Sequence, residues 1–349
     1  MHSPIRQENW RRLVAWIFGL ALLALVAFYA GRAILANSAA PLTLVVYGFS
    51  TQEEVLTQSI FPAFEQAWEA ETGRDLTIEG VFGPSGTLAG QINLGAPADV
   101  ALLSNEQHVT WLKVGRQVRP GTRPVMVSTT PMVIVTRPGN PAGLAELSDL
   151  ALPGLRLLHP DPRTSGAGDW AVLAEYGSAL LESGDPATAE SQLKAIWDNV
   201  HWLAPSARAG LTLFELGAGD GLVTYEQDAR LALARGVPLE IVLPTRTILA
   251  QHVAVVVDAN VTLSERPVAE AFVDFLQGDA GQRTFSQYHL RPARLDNGTF
   301  PPLAQPFTVE DLGGWSRAYR ELVEGLWQTE IAPSLELEAA GQPLDAYGE

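Results

Sequence analysis

The residues best suited to chemistry in this chain are small ones, set where apolar runs end. His159-Pro160-Asp161-Pro162-Arg163-Thr164-Ser165-Gly166-Ala167-Gly168-Asp169-Trp170 follows Leu155-Arg156-Leu157-Leu158, which reads as a buried strand, and leads into Trp170-Ala171-Val172-Leu173-Ala174, which reads as a helix opening. The first N–H groups of a helix have no partner inside it, and side chains as small as Ser165, Gly166 and Ala167 let a ligand reach them. Such donors favour an anion. Phe82-Gly83-Pro84-Ser85-Gly86-Thr87 repeats the design after the strand-like Leu76 to Phe82, so two turns can grip one oxyanion from two sides. Taken singly, either turn reads as an ordinary helix N-cap.

Three more places fit the same cleft. Pro205-Ser206-Ala207-Arg208-Ala209-Gly210 again follows a strand and opens a helix, with main-chain donors at Ala207 and Arg208 and an Arg208 guanidinium able to approach an anion or brace the loop. Tyr225 ends a strand and can donate its hydroxyl. Tyr47-Gly48-Phe49-Ser50 ends the first strand, with N–H groups that can point into the cleft. The other chemistries find little support. The sequence has no P-loop, no G-x-S-x-G elbow, no H-E-x-x-H helix and no nucleophile with a base beside it in sequence. Its six histidines are scattered without metal-ligand spacing, and His159 reads as a residue that packs or bonds locally. Gly217-Ala218-Gly219-Asp220-Gly221 precedes a strand instead of following one, so it reads as a helix stop and turn. No metal or cofactor is expected.

The elements that must position these residues alternate. Strands are expected at Leu42 to Tyr47, Leu76 to Phe82 and Asp99 to Leu103, with helices at Glu53 to Glu71 and up to about Leu94. That βαβαβ order is the signature of a doubly wound α/β sheet. A strand at Met132 to Thr136 leads into a second series: Leu155 to Leu158, helices from about Ala167 and near Ala187 to Trp197, Val200 to Leu203, a helix near Ala209 to Leu216, and Gly221 to Tyr225. Leu239 to Leu243 and Ile248 to Val257 return towards the first series, and the chain from Pro267 onward is mainly helical. The expected architecture is two α/β lobes, residues 41–130 with 250–349 and residues 131–249. The ligand would lie between them, beyond the carboxyl ends of strands.

Residues 13–31 carry no charge and follow Arg6, Arg11 and Arg12. As a helix this run spans roughly 28 Å, close to a bilayer's hydrocarbon thickness of about 30 Å, and the arginines stay cytoplasmic. Residues 1–40 are therefore expected to be a cytoplasmic stub, a membrane or signal helix and a linker, with the rest outside the cytoplasmic membrane. The length of the run favours a retained anchor, while Ala36-Asn37-Ser38 before Ala39 offers a cleavage site. Cysteine is absent, which removes a lipoprotein anchor on cysteine, disulfides and thiolate metal sites. The net charge is −16, and −19 once the four arginines and one glutamate of residues 1–32 are set aside. Such a surface repels nucleic acid and anionic lipid, and an anion site within it must work through local donors.

An ordered set of motifs carries a resemblance. Phe82 to Ala98 with Ala98-Asp99-Val100, Pro162-Arg163-Thr164-Ser165-Gly166-Ala167, Ser206-Ala207-Arg208, Leu243-Pro244-Thr245-Arg246-Thr247-Ile248-Leu249-Ala250, Gly281-Gln282 with Leu290-Arg291-Pro292, and Phe307-Thr308-Val309-Glu310-Asp311-Leu312-Gly313-Gly314-Trp315 occur in that order. Over about residues 42–327 this resembles the sulfate- and thiosulfate-binding proteins of bacterial ABC importers. The resemblance implies a type II-like two-lobed periplasmic-binding-protein fold. The expected partners are sulfate or thiosulfate and the permease subunits, with the chain a monomer and no enzyme. It places main-chain donors at Gly48, Ser165, Gly166, Ala167 and Ala207 and a hydroxyl donor at Ser85, with Gly86 and Arg208 beside them. Tyr225 stands where the family supplies an indole N–H, Gly48 where it usually has Asp, and Asp169 where a basic or neutral residue is more usual.

Sulfate at neutral pH carries no proton, so its site should offer donors only, whereas phosphate usually keeps a proton and wants one acceptor. Asp169 is the residue on which that distinction turns. Binding of another tetrahedral oxyanion, such as phosphate or molybdate, and a membrane-tethered oxyanion sensor stay open as alternatives.

Overall fold

The computed structural model describes residues 16, 19, 20, 22–26, 41–293 and 300–338. Among the described residues no helix is long and apolar enough to cross a membrane. The expected membrane or signal helix at 13–31 lies largely outside them, as does the end of the acidic tail.

The chain divides into a small unit, residues up to Thr43 with Glu65–Thr77, and a large one, Leu44–Phe64 with Ile78–Glu349. In the small unit the Leu42 N–H donates to Asp75 O at 2.9 Å and the Leu76 N–H to Glu69 Oε1 at 3.0 Å, so a strand start and a helix end are tied through Gly73, whose φ is +68°. That left-handed turn suits glycine.

The strands, in chain order, are β1 Leu42–Phe49, β2 Leu76–Gly83, β3 Val100–Leu103, β4 Val125–Thr136, β5 Leu157–Pro160, β6 Val200–Ala204, β7 Gly221–Tyr225, β8 Glu240–Val242, β9 Arg246–Val256, β10 Arg291–Pro292 and β11 Gln305–Phe307. Within the large unit β1 pairs parallel with β3, β3 antiparallel with β9, and β9 antiparallel with β4. β4 then changes partners. Val125 to Pro131 pair with β9, whereas Met132 to Thr136 pair with β7, which lies parallel to β5, itself parallel to β6. β4 is thus the strand that crosses between two sheet regions. The sequence reading started β4 at Met132; the earlier half was hidden because Pro131, which cannot donate to a ladder, interrupts an otherwise legible strand.

Helices follow the parallel strands and are capped locally. Ser165 and Gly184 bound the helix Gly166–Ser183, Gly184 at a φ of +70°. Asp185 caps Pro186–Trp197, with Pro186 at the first turn, Ser206 caps Ala207–Glu215, and Asn105 caps Glu106–Val114. The long helix expected over Glu53 to Glu71 is instead a single turn at Ser50–Gln52, a short helix Glu53–Val55, a wide π-type turn at Leu56–Ile60 and a regular helix Phe61–Thr72. Pro62 has no N–H for the regular ladder, which accounts for the irregular turn before it. The core beneath these elements contains the fully buried Trp170, Trp197 and Trp327. Trp197 meets Trp327 edge-on with centroids 5.2 Å apart.

Candidate functional site

Six of the nine positions selected from sequence, Ser85, Ser165, Gly166, Ala167, Ala207 and Tyr225, line one cleft of about 180 Å3. Phe49, Ser50, Thr51, Pro84, Ser104 and Ser206 complete it. Each of these residues ends a strand or lies in the turn after one: β1, β2, β3, β5, β6 or β7. Apolar strands end at the same edge, so their turns converge there, and helix N-termini with unpaired N–H groups face inward. No lining residue carries a charged side chain. The polar groups that face the cleft, beside the apolar surfaces of Phe49, Pro84 and Ala167, are hydroxyls and helix N–H groups, the first of which belong to Gly166 and Ala207.

The family of bacterial extracellular solute-binding proteins matches this chain over residues 44–291. This chain belongs to that family. It is 31% identical over 299 residues to a sulfate-binding protein of Synechococcus elongatus, covering 82% of this chain and 84% of that protein. It is 32% identical over 287 residues to a thiosulfate-binding protein of Pseudomonas aeruginosa, covering 79% and 84%. The fold matches that of a solved sulfate-binding protein of Mycobacterium tuberculosis with a TM-score of 0.73 at 24% identity, over 80% of this chain and 99% of that one. The architecture is therefore the mixed α/β, two-lobed fold of periplasmic binding proteins.

In this solute-binding protein several expected donors are employed elsewhere, the main-chain N–H groups of Ser165 and Ala167 among them. Gly48 is not on the cleft wall: it pairs with Leu102 inside the sheet, and a Cβ there would lie 2.9 Å from Phe82 Cε1 and 3.1 Å from Leu56 Cδ1. Its neighbours Phe49 to Thr51 face the cleft instead. The Gly86 N–H donates to Thr164 O at 3.0 Å, and the Thr87 N–H reaches the same oxygen at 3.3 Å. The first turn thus spends its N–H groups on the second turn's carbonyl, not on a ligand. Arg208 lies off the wall, with Nη2 3.6 Å from both Glu54 Oε2 and Asp228 Oδ1. Burial pushes Asp228 up to about 6, and the Arg208 charge opposes that shift.

Within the second turn the Ser165 N–H donates to Asp161 O at 2.8 Å, while Ser165 Oγ accepts the Ala167 N–H at a long 3.3 Å. The group Ser165 has to offer is its hydroxyl proton. Thr164 pins the turns together, accepting from Gly86 and Thr87 and donating its hydroxyl to Pro205 O at 3.0 Å. Tyr225 is buried with its hydroxyl beside that of Ser104; burial pushes its pKa well up, so it stays a neutral phenol. Ser104 is likewise buried. The sequence signal for Ser104 was its place straight after β3 and before the Asn105 cap, another strand, turn and helix.

His159 bonds locally, with Nε2 2.6 Å from Glu175 Oε1, whose other oxygen accepts the Trp197 Nε1–H at 2.8 Å. A second histidine is a surprise: Ser85 Oγ lies 2.8 Å from His108 Nδ1, and His108 Nε2 lies 3.5 Å from Asp169 Oδ2. The sequence reading found no base beside a nucleophile because these three residues are far apart in the chain. The ring is nonetheless no base: burial pushes His108 down to about 3, too low to take a serine proton near neutral pH.

His252 behaves in the same way. It sits between the rings of Phe49 and Tyr225, with centroids 4.7 and 5.2 Å away, and burial pushes it down to about 3. An imidazole held neutral in the fold takes up its proton only on unfolding, so its contribution is present above its unfolded pKa of about 6.5 and is lost as the pH falls towards 3. In the middle of that window each such ring steepens the loss by about 1.4 kcal/mol per pH unit. Denaturant titrations at pH 6, 5 and 4 should show the slope of stability against pH reduced by about that amount in His252→Asn. An unchanged slope would mean that the ring is already charged in the fold.

Proposed function

We propose that this protein is the extracytoplasmic solute-binding component of an ABC importer, holding sulfate or thiosulfate in the cleft and presenting it to the permease subunits. The observation that carries this reading is the polar lining: hydroxyls and helix N-terminal N–H groups, with no charged side chain, in a chain of net charge −16. A doubly charged ligand there is met by many fixed dipoles and no counter-ion. The N–H groups of Gly166 and Ala207 and the hydroxyls of Ser85, Ser104, Ser165 and Tyr225 are the proposed donors. Asp169 does not line the cleft, which favours an anion without a proton over phosphate. The named ligands of the relatives, sulfate and thiosulfate, agree with that choice.

The lobes that close on the ligand would be residues 41–130 with 250–349 and residues 131–249, hinged at β4 and β9. The uncharged run 13–31 would carry the chain across the cytoplasmic membrane and tether it there. The work of the protein is closure without bond chemistry.

Calorimetric titration of the full chain in detergent with sulfate, thiosulfate, phosphate and molybdate tests the reading. Heat with sulfate or thiosulfate and none with phosphate is the expected result; phosphate alone, or silence throughout, would refute it. In the same assay Ser85→Ala should weaken sulfate binding about tenfold or more, the worth of one hydrogen bond to a charged ligand at roughly 1.5–3 kcal/mol.

A further inference from the structure

The turn after β1 runs from Ser50 to Val55 and belongs to one of the two lobes proposed above, yet it is held by the other. Glu54 Oε1 accepts from Arg235 Nη1 at 2.9 Å, and Glu54 Oε2 lies 3.6 Å from Arg208 Nη2. That nitrogen is also 3.6 Å from Asp228 Oδ1, within its own lobe. Three residues before Glu54, the Thr51 carbonyl accepts from Gln227 Nε2 at 3.1 Å. Thr51, Gln227 and Asp228 are buried, whereas Glu54 and Arg208 stay partly exposed, at 26% and 25%.

These ties join two walls of the cleft from outside it. Ser50 and Thr51 line one wall and Ala207 the other, while Glu54, Arg208 and Arg235 line neither. Parting the lobes breaks the contacts unequally. Asp228 moves with Arg208 and remains its partner, whereas Glu54 and the exposed Arg235 return to water. Partly exposed ion pairs are weak, which suits a contact that must open as well as close. By its charge alone Glu54 would repel an anion held nearby, but as a tie between lobes it favours binding. The two roles have opposite signs.

We propose that Glu54 is a latch, gripping Arg235 and Arg208 of the opposite lobe so that closure on the oxyanion is stabilised from beside the cleft. The proposal rests on the two-lobed oxyanion reading above. Glu54, Arg208 and Arg235 are positioning residues, which touch no ligand and set the distance between the wall at Ser50 and Thr51 and the wall at Ala207.

Glu54→Gln keeps the shape of the side chain and removes its charge. Sulfate affinity of the full chain should fall about threefold to tenfold, the combined worth of two partly exposed ion pairs, through a faster off-rate. Arg235→Gln should lose less, and the double variant no more than Glu54→Gln alone. Unchanged or stronger sulfate binding by Glu54→Gln, or additive effects in the double variant, would overturn the latch. The lobes can also be followed without ligand. The chain has no cysteine, so Gln91→Cys with Glu215→Cys, exposed positions on the helices Ser85–Asn93 and Ala207–Glu215, takes one pair of spin labels. A chain blind to sulfate and thiosulfate overturns the proposed function, and the label distances then decide on the latch alone. Longer distances in Glu54→Gln than in the parent uphold it, and equal distances overturn it.

Discussion

Trp170→Ala should lower the unfolding free energy by about 3–5 kcal/mol, the usual cost of emptying a fully buried aromatic site. Trp170 is 0% exposed and meets Trp315 edge-on with centroids 4.5 Å apart. Its Nε1–H also donates to Ser104 O at 2.8 Å, so the helix Gly166–Ser183 is tied through this ring to the turn after β3. Two losses therefore combine: a cavity in the core and an unpaired carbonyl behind the cleft wall. Trp170→Phe separates them, keeping most of the ring and losing the N–H. Denaturant unfolding should place it at a third to a half of the alanine loss. Sulfate binding should weaken as well, since the wall at Ser104 loses its tie. Equal stability of Trp170→Ala and the parent chain would remove Trp170 from the core account.

Gly166→Ala should have the largest effect on binding, lowering sulfate affinity a hundredfold or more, at a cost in stability of about 1–3 kcal/mol, the usual range for overpacking a buried site. A Cβ at this position would overlap Ser104 Oγ and lie 2.8 Å from Asn105 Nδ2. These atoms belong to the turn after β3, so a methyl group would push the two walls of the cleft apart. It would also screen the N–H group at the start of the helix from the ligand. Hydroxyl and N–H donors lose their value steeply once they are off distance or misaligned, so several bonds to the anion would weaken together. Calorimetry with sulfate on the variant, well below its melting temperature, would test it, and an affinity within threefold of the parent would remove the close approach from the account of the site.

Much of the site was legible before the fold. Ser165 and Ser206 announce themselves because caps are local: an apolar strand, a short polar turn and a helix opening lie within about a dozen residues, and Ser85 follows the same order of elements as the first residue of its helix, after Pro84. The convergence of these turns follows from parallel α/β topology, which gathers the carboxyl ends of strands at one edge. Tyr225 was found the same way, as the last residue of an apolar strand. The hydroxyl at Ser104 was missed only because its helix, Glu106–Val114, is short and weakly patterned.

The amino-acid sequence by itself determined the alternation of strands and helices, the placing of small residues at the turns, and the need for local donors in an acidic chain, since all of these rest on neighbours along the chain. Tertiary structure decided which donors remain free. Gly86 gives its N–H to Thr164, Gly48 yields its place to Phe82 and Leu56, Arg208 pairs with Glu54 and Asp228, and Ser85 meets His108. A donor is available to a ligand only if no acceptor folds against it, and those acceptors come from strands and turns tens of residues away.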